Sequence, residues 1–198
     1  MIKKQDLIQI FNDSINVKMD FIYNQYDQLI KVINTIVTTF KNGNKILIFG
    51  NGGSASDAQH MTSELVCRLN FDRNPLPAIA LTTDTSVITS ISNDYDYSKI
   101  FSRQIQALGK PGDVAFGITT SGNSENIVHG IIQAKYMKMK TICLTGNNGG
   151  KIVDISELSI IIPSKNTQRI QEAHIVVIHT ICQMIEKIIF GRGLNEIV

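Results

Sequence analysis

Five short apolar runs, at 46–49, 78–81, 114–118, 141–144 and 158–162, alternate with segments of helical spacing near 54–69, 98–108, 124–138 and 149–154. Strands this short and this apolar are buried on both faces, and a helix between successive strands supplies the cover. The pattern predicts an α/β fold, a three-layer α-β-α sandwich around a five-stranded parallel sheet. Right-handed crossovers then carry the loops that follow the strands to one edge, where such sheets bind ligands.

Helical segments flank this alternation. Residues 4–41 place Leu29, Ile33, Ile36 and Phe40 on one face, and Lys41-Asn42-Gly43-Asn44 ends the helix because Asn and Gly tolerate the left-handed closing conformation. This is an N-terminal helical extension. Residues 167–190 are apolar on most of their circumference, through Ile170, Ala173, Val176, Val177, Ile181, Met184, Ile185 and Ile188. A helix of that kind is expected to be buried nearly all round. In a chain of 198 residues, a second subunit together with the N-terminal helices is a natural cover. With no repeat or linker in view, residues 1–198 read as one domain, with 1–43 used in oligomer packing.

Composition narrows the partners. Lys and Arg number 19 against 17 Asp and Glu, for a net charge of +2, so no concentrated basic face calls for nucleic acid. Cys67, Cys143 and Cys182 lack CxxC spacing and support neither a disulfide framework nor a zinc finger; they read as packing residues in a reducing, cytoplasmic setting. No run approaches the ~18–20 apolar residues of a membrane span, and the N-terminus has no signal-peptide pattern. The expectation is a soluble cytoplasmic protein with no membrane partner.

Two turns carry chemistry. Gly50-Asn51-Gly52-Gly53-Ser54 follows the first strand directly and opens a helix. Its glycines allow close backbone approach to an anion at a helix N-terminus, and Ser54 sits where an N-cap would. Thr119-Thr120-Ser121-Gly122-Asn123-Ser124 repeats the logic after the third strand, with hydroxyls that can donate to phosphate oxygens. A tight turn or a capped helix without ligand is the alternative for each. Two such turns, without a Walker lysine, favour a sugar phosphate over a nucleoside triphosphate.

Two helices add titratable groups. At about 100° per residue, Asp57, His60, Glu64 and Arg68 share one stripe, which could bind a metal, move a proton or form ordinary surface pairs. In the last helix Gln171, Glu172, His174 and His179 need partners among so many apolar neighbours. Periodicity places Glu172, His179, Gln183 and Glu186 together, with Gln171 roughly 80° from His179. From this helix alone, a hydrogen-bonded structural network is the favoured reading of these residues. His129 reads as a histidine without a chemical role.

Taken together, Gly50-Asn-Gly-Gly-Ser-Ala-Ser-Asp-Ala-Gln-His60, Ser92-Asn-Asp94, Phe101-Ser-Arg-Gln104, Thr120-Ser-Gly-Asn-Ser124, Leu144-Thr-Gly146 and Arg169-Ile-Gln-Glu172 with His174 and His179 resemble the sugar isomerase (SIS) family, and within it the phosphoheptose isomerases. The resemblance covers most of the chain and implies the SIS, flavodoxin-like version of the sandwich. It implies a cytoplasmic homotetramer with sites at subunit interfaces that converts sedoheptulose 7-phosphate to D-glycero-D-manno-heptose 7-phosphate through an enediol, opening bacterial heptose biosynthesis for lipopolysaccharide or other surface glycans. It also implies Glu64 and His179 as the acid/base pair. One zinc ion per subunit would be held by His60, Glu64, Gln171 and His179, with Glu172 as a group behind the ligands. Asn51, Gly52, Gly53, Ser54, Arg68, Asp94, Thr119, Thr120, Ser121, Ser124 and Gln171 would bind substrate, the hydroxyls holding the phosphate and Asn51, Arg68 and Asp94 lining the sugar.

Two positions depart from the family pattern. Gln168 stands where relatives often carry Ala or Asp, and Asp96 where many carry Gly. The rival reading is a non-catalytic SIS protein of the replication initiator-associating type. Such relatives generally lack the residue matching His179, so its presence favours the enzyme. A sugar-phosphate-sensing transcription regulator would need a DNA-binding segment for which there is no room.

Overall fold

The computed structural model describes residues 2–191. Strands β1 (Ile46–Gly50), β2 (Ala78–Ala80), β3 (Val114–Thr119), β4 (Lys140–Gly146) and β5 (Leu158–Ile162) form a wholly parallel sheet in the order β2-β1-β3-β4-β5. The helices are α1 (Lys4–Lys41), α2 (Gly53–Val66), α3 (Thr85–Asp94), α4 (Ile100–Leu108), α5 (Glu125–Tyr136) and α6 (Thr167–Phe190). Short 3₁₀ turns occupy Tyr97–Lys99 and Gly150–Asp154. The predicted three-layer α/β sandwich with its N-terminal extension is the observed architecture.

Two cores lie on opposite faces of the sheet because successive strand residues point opposite ways. Ile46, Ile48, Phe116 and Leu144 pack with α1, α2 and α6, while Leu47, Phe49, Ala115 and Cys143 pack with α3, α4 and α5. Both sets are fully buried, and truncating Phe116 to Ala would cost about 3–5 kcal/mol.

Two helices and one cysteine differ from the sequence-based expectation. Helix α3 was not foreseen, because Thr-Ser-Val-Ile-Thr-Ser-Ile has weak helix propensity. Asp84 caps it by accepting from the Val87 N–H at 2.9 Å, and Ile91 anchors it in the core. Helix α2 ends at Val66 rather than near 69, and Cys67, expected in the core, is exposed just beyond it. Cys143 and Cys182 are buried as expected.

The long α1 is bent at Gln25, whose φ of −134° leaves the helical range. There the Gln25 amide donates to the Ile161 carbonyl at 2.6 Å and accepts from the Ile161 N–H at 3.1 Å. One side chain thus takes the place of a neighbouring strand along the β5 edge, which would otherwise present unpaired backbone groups.

Helix α6 buries Ile170, Ala173, Val177, Ile178, Ile181 and Ile185 but leaves Val176 44% and Ile188 40% exposed. Burial nearly all round is therefore not achieved within one chain. By length and composition α6 could cross a membrane, yet its inner face belongs to the core. Leu7, Ile8, Phe11, Ile15 and Met19 of α1 are also exposed, and an apolar groove of about 210 Å³ runs between α1 and α6.

Candidate active site

Strands β1 and β3 are neighbours, but the helices that follow them lie on opposite faces of the sheet. The two outgoing loops diverge and leave a cleft at this switch point. A polar cavity of about 70 Å³ opens there, lined by Asn51, Ser54, Thr119, Thr120, Ser124 and Gln171 with Ile118 behind them. Glycines make the close approach possible. A Cβ on Gly50 would come within 2.5 Å of the Ser54 carbonyl oxygen, and Gly52 has a φ of +53°.

The N-cap of α2 is Gly52, not Ser54 as expected. Ser54 is buried inside the first turn, where its hydroxyl faces the cavity rather than capping the helix. Ser124 is the N-cap of α5, and its side chain makes no capping bond. Its Oγ lies 3.3 Å from Thr119 Oγ1, so hydroxyls and two helix N-termini converge without a charged side chain among the lining residues. That is a neutral cradle for an anion. Ser121 is exposed, and its hydroxyl accepts from the Asn123 N–H within the turn.

A brace holds the loops together. Asn51 and Asn126 exchange two side-chain hydrogen bonds of 2.8 Å each, and the Tyr97 hydroxyl donates to Asn51 Oδ1 at 3.2 Å. Asn126 is buried and accepts from the Ile127 N–H as well. Sequence reasoning missed Asn126 and Tyr97, since neither carries a spacing signal. Asp96 accepts from the Ser98 N–H at 2.7 Å and caps the Tyr97–Lys99 turn with an extended backbone, so no glycine is needed there.

Beside the cradle, α2 and α6 bring together groups 119 residues apart. His60 Nε2 lies 2.9 Å from His179 Nε2 and 3.2 Å from Glu64 Oε1. Ligand atoms of these three residues all fall within 4.8 Å of one another. Tetrahedral bonds of ~2.0–2.1 Å put ligand atoms roughly 3.3 Å apart, so the cluster suits a small divalent metal ion. Without an ion, one imidazole donates to the other.

Gln171 and Glu172, adjacent on α6, face different surroundings. Gln171 lines the cradle and sits against Gly53, where a Cβ would strike its Nε2. Glu172 accepts from Arg169 Nη2 at 2.7 Å and lines a groove beside Ile10, Phe11 and Ser14 of α1. It does not stand behind the His60 cluster as the sequence reading allowed. Arg68 lies exposed past the end of α2, off the helical stripe expected for it. Asp94 is the exposed last residue of α3 and accepts from Asn93 Nδ2. Gln168 is exposed in the first turn of α6.

Two other titratable groups are perturbed by burial. Burial pushes the Asp57 carboxyl up to about 6, against the opposing pull of His60, and Asp57 Oδ2 has no hydrogen-bond partner. His174 is fully buried and its Nε2–H donates to the Thr145 carbonyl at 3.2 Å. Burial pushes its imidazole down to about 4 despite that bond, which marks a neutral structural histidine. His129 is exposed, with Nδ1 3.2 Å from the Ser98 carbonyl.

Comparison with known proteins agrees with this geometry. The SIS domain family profile matches residues 10–146. The phosphoheptose isomerase of Aquifex aeolicus is 51% identical over 185 residues, covering 93% of this chain and 97% of that protein. That of Trichlorobacter lovleyi is 53% identical over 161 residues, covering 81% and 82%. Among solved structures, a phosphoheptose isomerase from Francisella tularensis superposes with a TM-score of 0.91 at 37% identity, covering 94% of this chain and all of that one. The Neisseria gonorrhoeae enzyme gives 0.88 at 38% identity, covering 93% and 98%. On sequence, coverage and fold together, the chain belongs to the SIS domain family, alongside its phosphoheptose isomerases.

Proposed function

We propose that the protein is an aldose–ketose isomerase that converts sedoheptulose 7-phosphate to D-glycero-D-manno-heptose 7-phosphate. The observation that carries this reading is the placement of an acid/base cluster beside a neutral anion cradle. Ser54, Thr120 and Ser124, with the N-termini of α2 and α5, bind the phosphate. Asn51, pinned by Asn126, is positioned to contact the sugar chain, and Gln171 lines the cradle beside it. Arg68 and Asp94, exposed in one chain, contribute only if the substrate or a neighbouring subunit reaches them.

Glu64 and His179 are the proton-transfer groups. One takes a proton from C1 of the ketose while the other gives one to the C2 oxygen, leaving an enediol. Returning a proton to C2 and removing the O1 proton completes the aldose, so the reaction is neutral in protons and electrons overall. Efficient transfer requires each group within hydrogen-bond reach of its proton, and the cluster is compact enough to serve adjacent carbons.

His60, Glu64 and His179 fit a zinc ion, and by resemblance to the family Gln171 would be the fourth ligand. When bound, such an ion polarises the substrate oxygens. The whole chain acts as one SIS domain in a cytoplasmic homotetramer. The uncovered apolar faces of α1 and α6 would be the packing surfaces, and their exposure supports active sites at subunit boundaries. Heptose for surface glycans such as lipopolysaccharide is the product's destination. The complete His60, Glu64 and His179 set disfavours a purely protein-binding role.

Purified protein tests this directly. Turnover of sedoheptulose 7-phosphate in D2O should place solvent deuterium on the reacting carbon of the product, and Glu64→Gln and His179→Gln should slow it by about 10²–10⁴-fold while remaining folded. Full turnover in both variants would refute the assignment.

A further inference from the structure

We infer that Arg73 and Glu186 are positioning residues, a buried clamp that fixes the Glu64 end of α2 against the α6 face bearing His179. Its catalytic consequence rests on the isomerase reading above. Arg73 lies in the connection after α2, and its side chain is 2% exposed; that of Glu186 on α6 is 1% exposed. Arg73 Nε donates to Glu186 Oε1 at 3.1 Å. Its Nη2 donates to the backbone carbonyl of Glu64, and its Nη1 to that of Leu65, both at 2.6 Å. These carbonyls belong to the last turn of α2, which has no further helical N–H to bond.

Glu186 is saturated from the other side. It accepts from the Leu69 N–H at 2.9 Å and from the Asn70 N–H and Nδ2 at 3.1 Å each. The guanidinium also rests over the Phe190 ring, 5.6 Å from its centroid. Seven residues separate His179 from Glu186, so two turns of α6 place them on nearly one face. A continuous bonded path therefore runs from the Glu64 backbone through Arg73 and Glu186 into the helix that carries His179.

Net stability alone does not account for such a pair. Apolar residues of similar volume commonly replace a buried ion pair without loss. What the fork of Arg supplies is direction, because it grips two carbonyls of α2, the Asn74 carbonyl and one carboxylate at once. A shift of about 1 Å in a reacting group can cost on the order of 100-fold in rate.

The test compares the wild type with Arg73→Lys, Asn70→Ala and the charge-free double variant Arg73→Met/Glu186→Gln. Thermal melts establish folding, and kcat, KM, zinc affinity by calorimetry and the crystallographic His60–His179 separation are then measured. Arg73→Lys should lower kcat and zinc affinity by about 10–100-fold, the range for groups that orient metal ligands, with KM little changed. Keeping the charge should not rescue it. Asn70→Ala, which removes one donor to Glu186, should give a smaller loss in the same direction. The double variant should remain as impaired as Arg73→Lys even if it melts as high as the wild type.

Wild-type kcat and zinc affinity in Arg73→Lys, or a loss confined to KM, would overturn the clamp. A silent wild type would refute the isomerase reading alone. Zinc affinity and the His60–His179 separation would then still decide the clamp.

Discussion

The polar cradle and the His60 cluster share α2 and α6, yet they are built in opposite ways. The cradle is assembled from loops and helix N-termini at the centre of the sheet, with Ser54 and Thr119 buried and the Asn51–Asn126 pair tying its halves together. The cluster is assembled from two helix faces, with His60 exposed and Glu64 half-buried. A site that recognises an invariant group can be rigid and complete within one chain. The cluster proposed to move protons is left open on the side of α2 and α6. A neighbouring copy on that side would exclude water from it, which strengthens electrostatic interactions inside the site.

The sharpest way to break this division is at Glu64 or His179. Glu64→Gln and His179→Gln should each lower kcat by 10²–10⁴-fold, the usual range for losing a general acid or base, while the affinity for inorganic phosphate in a competition assay stays unchanged. Gly122→Ala should do the reverse. Its φ is +67°, and a Cβ would collide with the Gly149 carbonyl oxygen. Backbone strain of about 1–3 kcal/mol plus that clash should appear as a lower denaturation midpoint, with phosphate affinity falling alongside.

A milder change separates recognition from chemistry. Ser124→Ala should raise KM by roughly 10-fold or more at nearly constant kcat, since a hydrogen bond to a charged group contributes about 1.5–3 kcal/mol. Steady-state kinetics reads both parameters.

The smallest effect concerns the exposed side of the pair. Asp57 has its folded pKa raised to about 6, so burial stabilises its neutral form. That contribution is present below about pH 4 and is lost as pH rises through 6. Asp57→Asn should therefore raise the melting temperature of metal-free protein at pH 7.5 and change it little at pH 4, as differential scanning fluorimetry across pH would show.

The strands, the layers and the cradle loops are legible in the sequence because their signals are local. Apolar runs such as 46–49 are bounded by glycines, and hydroxyls follow the third run within a few residues. The failures are non-local. Helix α3 exists because Ile91 reaches the core, which overrides weak propensity, although its Asp84 N-cap is a local signal. Gln171 and Glu172 are adjacent in sequence, and periodicity favours Glu172 beside His179. Yet Arg169 captures Glu172, and the absent Cβ of Gly53 opens room for Gln171. Glu186 looked like one more member of a polar stripe, and its partner Arg73 is 113 residues away. Resemblance to the SIS family supplied the pairing of α2 with α6 that spacing alone could not.

The central claim is that binding and proton transfer are carried by different parts of one site. It is tested most directly by measuring kcat and KM for sedoheptulose 7-phosphate in wild type, Ser124→Ala and Glu64→Gln under one set of conditions. The account predicts that Ser124→Ala changes chiefly KM and Glu64→Gln chiefly kcat. Equal changes in both parameters for both variants, or turnover in Glu64→Gln at the wild-type rate, would contradict it.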